Sequence, residues 1–376
     1  VSAQNTQAQA AQWPTGPEVQ ASSAVVMDAS TGTVLFEKDA DTPRYPASIT
    51  KIMTLLLIFQ ALEAGQIHLE DTVTISEHAA GMGGSQVYLE PNETQTVETL
   101  IKCITVASAN DACVAMAELI AGSEEGFVAK MNERAKGLGM NNTTFINCCG
   151  LDTDGHMSTA RDVALMSREL IVQYPQIHNY STIWMDTITH VTRKGESEFG
   201  LTNTNKLIKQ YQWATGLKSG SSGLAKCCLS ATANKDGVEL IAVIMAAPDS
   251  KTRFSDAVTL LNYGYSVCDI YHDTEMPQLP NLSVSGGRCD TLSLSYAKEF
   301  STLFLEPVDT ASIEKQLTLP ETVTAPVNEG DVIGTLTYTL DGKTIGTVDI
   351  TAAQSVSSAT YGDALFKMFR KLTGAA

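Results

Sequence analysis

The run ASITKIMTLLLIFQALEAG, residues 47–65, constrains this chain more than any other stretch. From Ile52 to Leu62 apolar residues cover nearly every helical face, so the helix they predict has no side to give to water. It must be buried all round, and Gly65 is placed to stop it as a C′ residue. At 376 residues the chain is long enough to enclose such a helix and still build a second core, so two domains are expected.

Composition narrows the partners. Forty-two Asp and Glu against 25 Lys and Arg give a formal charge of −17, which argues against a nucleic-acid partner, because nothing here neutralises a run of phosphates. With 43% hydrophobic and 18% charged residues the chain reads as an ordinary globular protein. No apolar run reaches the ~18 residues of a membrane-spanning helix. The first residue is Val1 and no secretory apolar region follows, which is the expectation for a processed chain. The eight cysteines include the adjacent pairs Cys148-Cys149 and Cys227-Cys228, and no C-x₂-C spacing occurs. They read as buried thiols acting as small hydrophobes, with no metal site and no cofactor expected.

Residues 1–20 are rich in Gln and Ala, broken by Pro14, Gly16 and Pro17, and read as a flexible leader. Val25–Met27 and Val34–Phe36 flank a turn at Ser30-Thr31-Gly32, a hairpin pattern. Beyond the apolar helix, further helices are expected near 97–106, 111–120, 123–138 and 160–173, the last with a capping box from Thr159 to Asp162. Residues 225–233 and 238–246 form a second hairpin pattern, followed by a helix at 257–265. The proline-broken segment 272–280 marks a domain boundary. Short alternating stretches follow at 291–296, 316–319, 332–340 and 344–351, with Asp341-Gly342 as a tight turn between the last two. The outline is a large α/β (α+β) domain over 21–275 and a small all-β domain over 276–360.

Three short clusters carry chemistry. Ser48-Ile49-Thr50-Lys51 opens the buried helix, and spacing i, i+3 places the lysine amine on the same face as the serine hydroxyl. A serine needs a base to become a nucleophile, and a lysine serves only when burial or a nearby cation frees its lone pair. The helix N-terminus adds N–H groups suited to an oxyanion. Ser108-Ala109-Asn110 breaks two helical stretches and can line a cleft, although Asn110 can equally cap the helix from Asp111. Lys218-Ser219-Gly220 offers a cation, a hydroxyl and a residue that permits close backbone approach.

In this order the clusters resemble the Ser-x-x-Lys, Ser-x-Asn and Lys-Thr-Gly set of penicillin-recognising serine enzymes. AVVMDASTGTVLFEKDAD, PASITKIMT, VASANDACVAMAELIAGSEEGFVAKMN, GLDTDGHMSTARD and GLKSGSSGLAKCCLSATA resemble one branch, the low-molecular-weight penicillin-binding proteins or serine D-alanyl-D-alanine carboxypeptidases. The resemblance runs from Ser22 to about Thr351. It implies a penicillin-binding, β-lactamase-like fold with an antiparallel sheet between helices, a helical subdomain and a separate C-terminal β domain. It implies Ser48 as nucleophile, Lys51 as general base and Ser108 as proton relay. Asn110 then holds the substrate amide, Lys218 and Ser219 face its carboxylate, Gly220 lets the strand approach, and the N–H groups of Ser48 and Ser221 form the oxyanion hole. Arg253 matches a basic position near the site. Thr204, Cys149 and Lys226 depart from arginine, histidine and glycine carried by some relatives, which bears on specificity and deacylation.

The resemblance further implies a peptidoglycan pentapeptide substrate, inhibition by β-lactam antibiotics and a place in the cell envelope outside the cytoplasmic membrane. Within 361–376, Leu365, Phe366, Phe369 and Leu372 fall opposite Lys367, Arg370 and Lys371, the pattern of a segment lying in a membrane interface. A class A β-lactamase would need a deacylating glutamate between the second and third clusters, and NNTTFINCCGLDTDGHMSTARD contains no such setting. Transpeptidation or endopeptidation by the same acyl-enzyme and a non-catalytic peptidoglycan-binding module remain as alternatives.

Overall fold

A computed structural model describes residues 16–304 and 308–363. Residues 1–15 of the expected leader, and residues 364–376 with most of the amphipathic stretch, lie outside the described residues. The chain divides into two compact units, 1–267 and 268–376.

The first unit is built on strands β1 (Ser23–Asp28), β2 (Val34–Lys38), β3 (Ala214–Ser222), β4 (Lys226–Lys235) and β5 (Val238–Ala247). They form one antiparallel sheet in the order β2-β1-β5-β4-β3. Strand β5, VELIAVIMAA, is buried along almost its whole length because both faces of the sheet are covered. Val25, Met27, Ile241, Val243 and Met245 join the core beneath helices α1 (Lys51–Glu63) and α5 (Ala160–Gln173). Ser167 of α5 and Ser230 of β4 share a hydroxyl hydrogen bond of 2.7 Å on that side. On the other face Gly264 of helix α6 (Ser250–Ser266) packs so closely that a Cβ would lie 2.8 Å from Leu240 and 3.1 Å from Val26. Three further long helices of the unit are α2 (Val97–Ala107), α3 (Asn110–Ala121) and α4 (Glu124–Gly137).

The apolar helix is enclosed as its sequence demands: every residue from Lys51 to Phe59 is buried. It is preceded by a 3₁₀ turn, Ala47–Thr50, so Ser48 sits in a tighter first turn than a continuous α-helix would give. Gly65 takes φ +66° and donates its N–H to the carbonyl of Leu62, closing the helix as expected. Thr159 caps α5 by accepting from the Asp162 N–H at 3.1 Å. Asp162 does not reciprocate; its carboxylate accepts from the N–H of Asn142 and the hydroxyl of Thr143.

Two elements escape the periodicity. Helix α6 begins at Ser250, capped by Asp249, whose carboxylate accepts the Thr252 N–H at 2.8 Å; its first turn is polar, so apolar spacing detects only the second half. The hairpin Met185–Thr192 with Gly195–Thr202 is largely exposed and therefore carries little alternation.

The second unit is all β. Its largest sheet orders Leu294–Tyr296, Lys343–Ala352, Val332–Leu340 and Glu314–Thr318, with the turn at Asp341 and Gly342 in left-handed backbone. Buried Tyr338 stacks on Phe300 with ring centres 3.7 Å apart and donates its hydroxyl to Asp273 at 2.7 Å, while Lys315 donates to the other oxygen of Asp273 at 2.7 Å. Asp269–His272 pairs with Ser301–Phe304. Residues 268–275, placed with the first domain by the proline-based boundary, therefore belong to the second unit; a four-residue, half-exposed strand gives no apolar signal to mark it.

Leu56, fully buried in α1, tests the enclosure. Leu56→Ala should lower stability by about 2–5 kcal/mol, read as a reduced denaturant midpoint of the first unit's unfolding.

Candidate active site

Ser48 stands half-buried at the entrance of α1, and Lys51 is fully buried one turn on. The Lys51 Nζ donates to Ser48 Oγ at 2.9 Å and to the carbonyl of Cys149 at 2.8 Å. Among the described residues no carboxylate lies within ion-pair distance of it. Ala47, the residue before the serine, is held at φ +49°, a strained conformation for a residue with a Cβ.

Gly150 makes this geometry achievable. At φ +94° it lies against the same turn, where a Cβ would sit 1.8 Å from the Ala47 carbonyl oxygen. Only glycine allows the 147–150 loop close enough for Cys149 to reach Lys51.

Strand β3 crosses the other side of the turn. A Cβ at Gly220 would meet the Ser48 nitrogen at 2.6 Å and that of Ile49 at 3.0 Å, so the strand approaches the helix start backbone to backbone. Ser221 follows on the exposed end of β3, paired with Cys227. Lys218 is buried, with its Nζ donating to the Ser219 carbonyl at 3.0 Å. Burial, reinforced by the Lys51 charge, holds the Lys218 amine well below the usual lysine range. Arg253 is also buried, behind β3; one of its nitrogens donates to the carbonyls of Gly220 and Cys228 and to the Ser221 hydroxyl. Its guanidinium thus clamps β3 to β4 from α6.

The second cluster closes the third wall. Ser108 ends α2 in left-handed backbone, φ +60°, and among the described residues its buried hydroxyl has no hydrogen-bond partner. Asn110 does not cap α3. It is the first helical residue, and its side-chain amide donates to the Gly83 carbonyl at 2.7 Å while its buried Oδ1 has no partner among the described residues.

Two residues bind the clusters together. Cys149, whose carbonyl holds Lys51, sets its thiol 3.6 Å from the Asn110 carbonyl oxygen. Thr204 takes the Ser219 hydroxyl on its own at 2.8 Å and donates its N–H to the Val106 carbonyl at 3.2 Å. Both were singled out in the sequence only as departures from relatives. His156 was missed: it is fully buried, accepts the Ile146 N–H on Nδ1 at 2.9 Å and pairs through Nε2 with the Thr50 hydroxyl at 2.8 Å. The backbone donor fixes the tautomer, so Nε2 carries the proton. A histidine in a polar loop gives no sequence sign that it anchors the turn beside Lys51.

A serine bonded to a buried lysine, beside unpaired Ser and Asn groups and a second buried lysine on a sheet edge, defines an acyl-transferring serine enzyme of the penicillin-recognising type. Comparison with known proteins agrees. The sequence profile of the peptidase S11 D-alanyl-D-alanine carboxypeptidases matches residues 6–249, and that of the penicillin-binding protein 5 C-terminal domain matches 274–358. The D-alanyl-D-alanine carboxypeptidase DacF of Bacillus subtilis (strain 168) is 39% identical over 343 residues, 91% of this chain and 87% of its own length. DacC of Escherichia coli (strain K12) is 34% identical over 349 residues, covering 88% and 82%. Penicillin-binding protein 5 from Haemophilus influenzae matches with a TM-score of 0.66 at 29% identity, over 92% of this chain and 100% of that one. The Streptomyces K15 DD-transpeptidase matches with a TM-score of 0.63 at 30% identity, over 67% and 100%. The chain belongs to the peptidase S11 family of D-alanyl-D-alanine carboxypeptidases, serine hydrolases that act on peptidoglycan.

His156 sets an acid limit on this site. Burial holds its imidazole down to about 4, so the folded protein refuses a proton that the unfolded chain accepts from about pH 6.5 downward. Stability should therefore fall as pH drops from 6.5 to 4, by about 3 kcal/mol from this group, and level off below. Unfolding free energies across that range, with the ring followed by NMR, check both the midpoint and the sign.

Proposed function

We propose that this enzyme removes the terminal D-alanine from peptidoglycan stem pentapeptides through an acyl-enzyme on Ser48. The 2.9 Å hydrogen bond between Ser48 Oγ and the buried Lys51 Nζ carries the reading. The lone pair of the Lys51 amine takes the hydroxyl proton as Oγ attacks the carbonyl between the two D-alanines. The N–H groups of Ser48 and Ser221 stabilise the oxyanion. Ser108 passes the proton to the departing D-alanine nitrogen, and Asn110 holds the substrate amide; their unpaired buried oxygens support these roles. Water then hydrolyses the ester. A β-lactam stalls there, because its leaving group stays tethered.

Lys218 and Ser219 receive the terminal carboxylate. A bound carboxylate favours the ammonium form of Lys218 by pairing with its charge. Arg253, with one nitrogen on the carbonyls of Gly220 and Cys228, supports this wall from behind. The family acts on peptidoglycan, so the enzyme works outside the cytoplasmic membrane, and the 361–376 segment attaches it to the outer face; among the described residues no helix is long and apolar enough to cross a membrane. Equal membrane partition of the full chain and a form lacking 363–376 would count against that attachment.

Ser48→Ala should abolish D-alanine release and covalent penicillin labelling together. Lys51→Arg should be almost as damaging, since a guanidinium stays charged and cannot act as base. Residues acting as one unit are non-additive, so the double variant should be little worse than Ser48→Ala alone. Intact mass after incubation with penicillin decides: a stable adduct on Ser48→Ala would remove Ser48 from the mechanism.

Amidating the substrate's C-terminus should slow turnover ~10- to 100-fold, the effect of losing a charge-assisted contact of about 1.5–3 kcal/mol. Equal rates for the amidated and free peptides would reject the assignment of Lys218 and Ser219.

A further inference from the structure

Behind the catalytic lysine the fold gathers thiols that the reaction does not use. Cys148 and Cys149 from the 147–150 loop, and Cys113 from α3, are fully buried. Glu124, at the start of α4, completes the group: the facing atoms of Glu124, Cys148 and Cys149 all lie within 4.8 Å of one another.

The spacing is that of a coordination shell. A tetrahedral zinc ion with bonds of about 2.3 Å to sulfur and about 2.0 Å to oxygen has S···S edges of roughly 3.8 Å and S···O edges of roughly 3.5 Å. The Cys148 and Cys149 sulfurs are 3.6 Å apart, and Cys148 Sγ is 3.5 Å from Glu124 Oε1. The carboxylate is oriented from outside, since His78 Nε2 holds the other oxygen, Oε2, at 2.7 Å. That is the outer support a metal-ligating carboxylate has. His78 is exposed and Glu124 partly so, which gives an ion a path to buried sulfurs.

We propose that Cys148, Cys149 and Glu124 bind a thiophilic divalent cation, zinc or cadmium, and that its binding slows acylation of Ser48. The link is covalent and short. The carbonyl of Cys149 accepts the hydrogen bond of Lys51 Nζ, so drawing the Cys149 sulfur onto a metal moves or stiffens the group that positions the base. Binding releases the thiol protons to solvent and involves no redox change.

The acylation half of this proposal rests on Ser48 and Lys51 as catalytic pair; the binding half does not. The test is a titration of the reduced full-length chain with cadmium alone, followed by cadmium–thiolate absorption in the ultraviolet, with zinc as competitor. One equivalent should bind. Cys148→Ser should lose the absorption, and Glu124→Gln should weaken binding at least ~10-fold. Glu124 is partly exposed, so that variant keeps a folded reference even where the serine variant does not fold; unchanged penicillin labelling without metal confirms it. Absorption that persists in both variants would place the ion on other cysteines and overturn the site. One equivalent of zinc should slow penicillin acylation of the unmodified chain and leave Glu124→Gln unaffected at the same concentration. Binding with no change in acylation rate would overturn the coupling and leave the site standing.

Discussion

The burial of the Lys51 amine between Ser48 Oγ and the Cys149 carbonyl is the interaction on which the rest of the site depends. An amine removed from water with no carboxylate beside it is costly unless its donors are satisfied. Here one donor goes to the hydroxyl it activates and one to a backbone oxygen. The remaining architecture serves that arrangement: an all-round apolar helix excludes water, the 147–150 loop brings the carbonyl, and β3 brings a second amine whose ammonium form is disfavoured by burial and then by the first.

Close backbone packing is what holds the parts in register. Gly150 and Gly220 flank the Ala47–Ser48 turn from opposite sides, each at a distance no Cβ could occupy. Arg253 and Thr204 act on the strand these glycines admit. Arg253 bonds to carbonyls on β3 and β4, and Thr204 ties Ser219 to the end of α2.

Much of the fold was legible because its signals are local. The apolar faces of α1, the cap at Thr159 and the Asp341-Gly342 turn each rest on neighbours in sequence. Helix α6 was read only in its apolar half, and the exposed hairpin of 185–202 was not read at all, because a water-facing strand carries no alternation. The 3₁₀ start of α1 was equally invisible, since it follows from the strain at Ala47 and the strand passing over it.

By itself the sequence determined the family, and it singled out Ser48, Lys51, Ser108, Asn110, Lys218 and Ser219 as candidates, because residue type and short spacing suffice to state which groups share a helical turn or a strand end. The tertiary structure alone decided what surrounds them. Asn110 turns to Gly83 and away from capping, His156 anchors Thr50 across 106 positions, and Cys148 and Cys149 meet Glu124 in a cluster that no ligand spacing announces. Contacts between segments far apart in the chain depend on how sheets and helices close on one another, and that closure is a property of the packed core, not of any local run of residues.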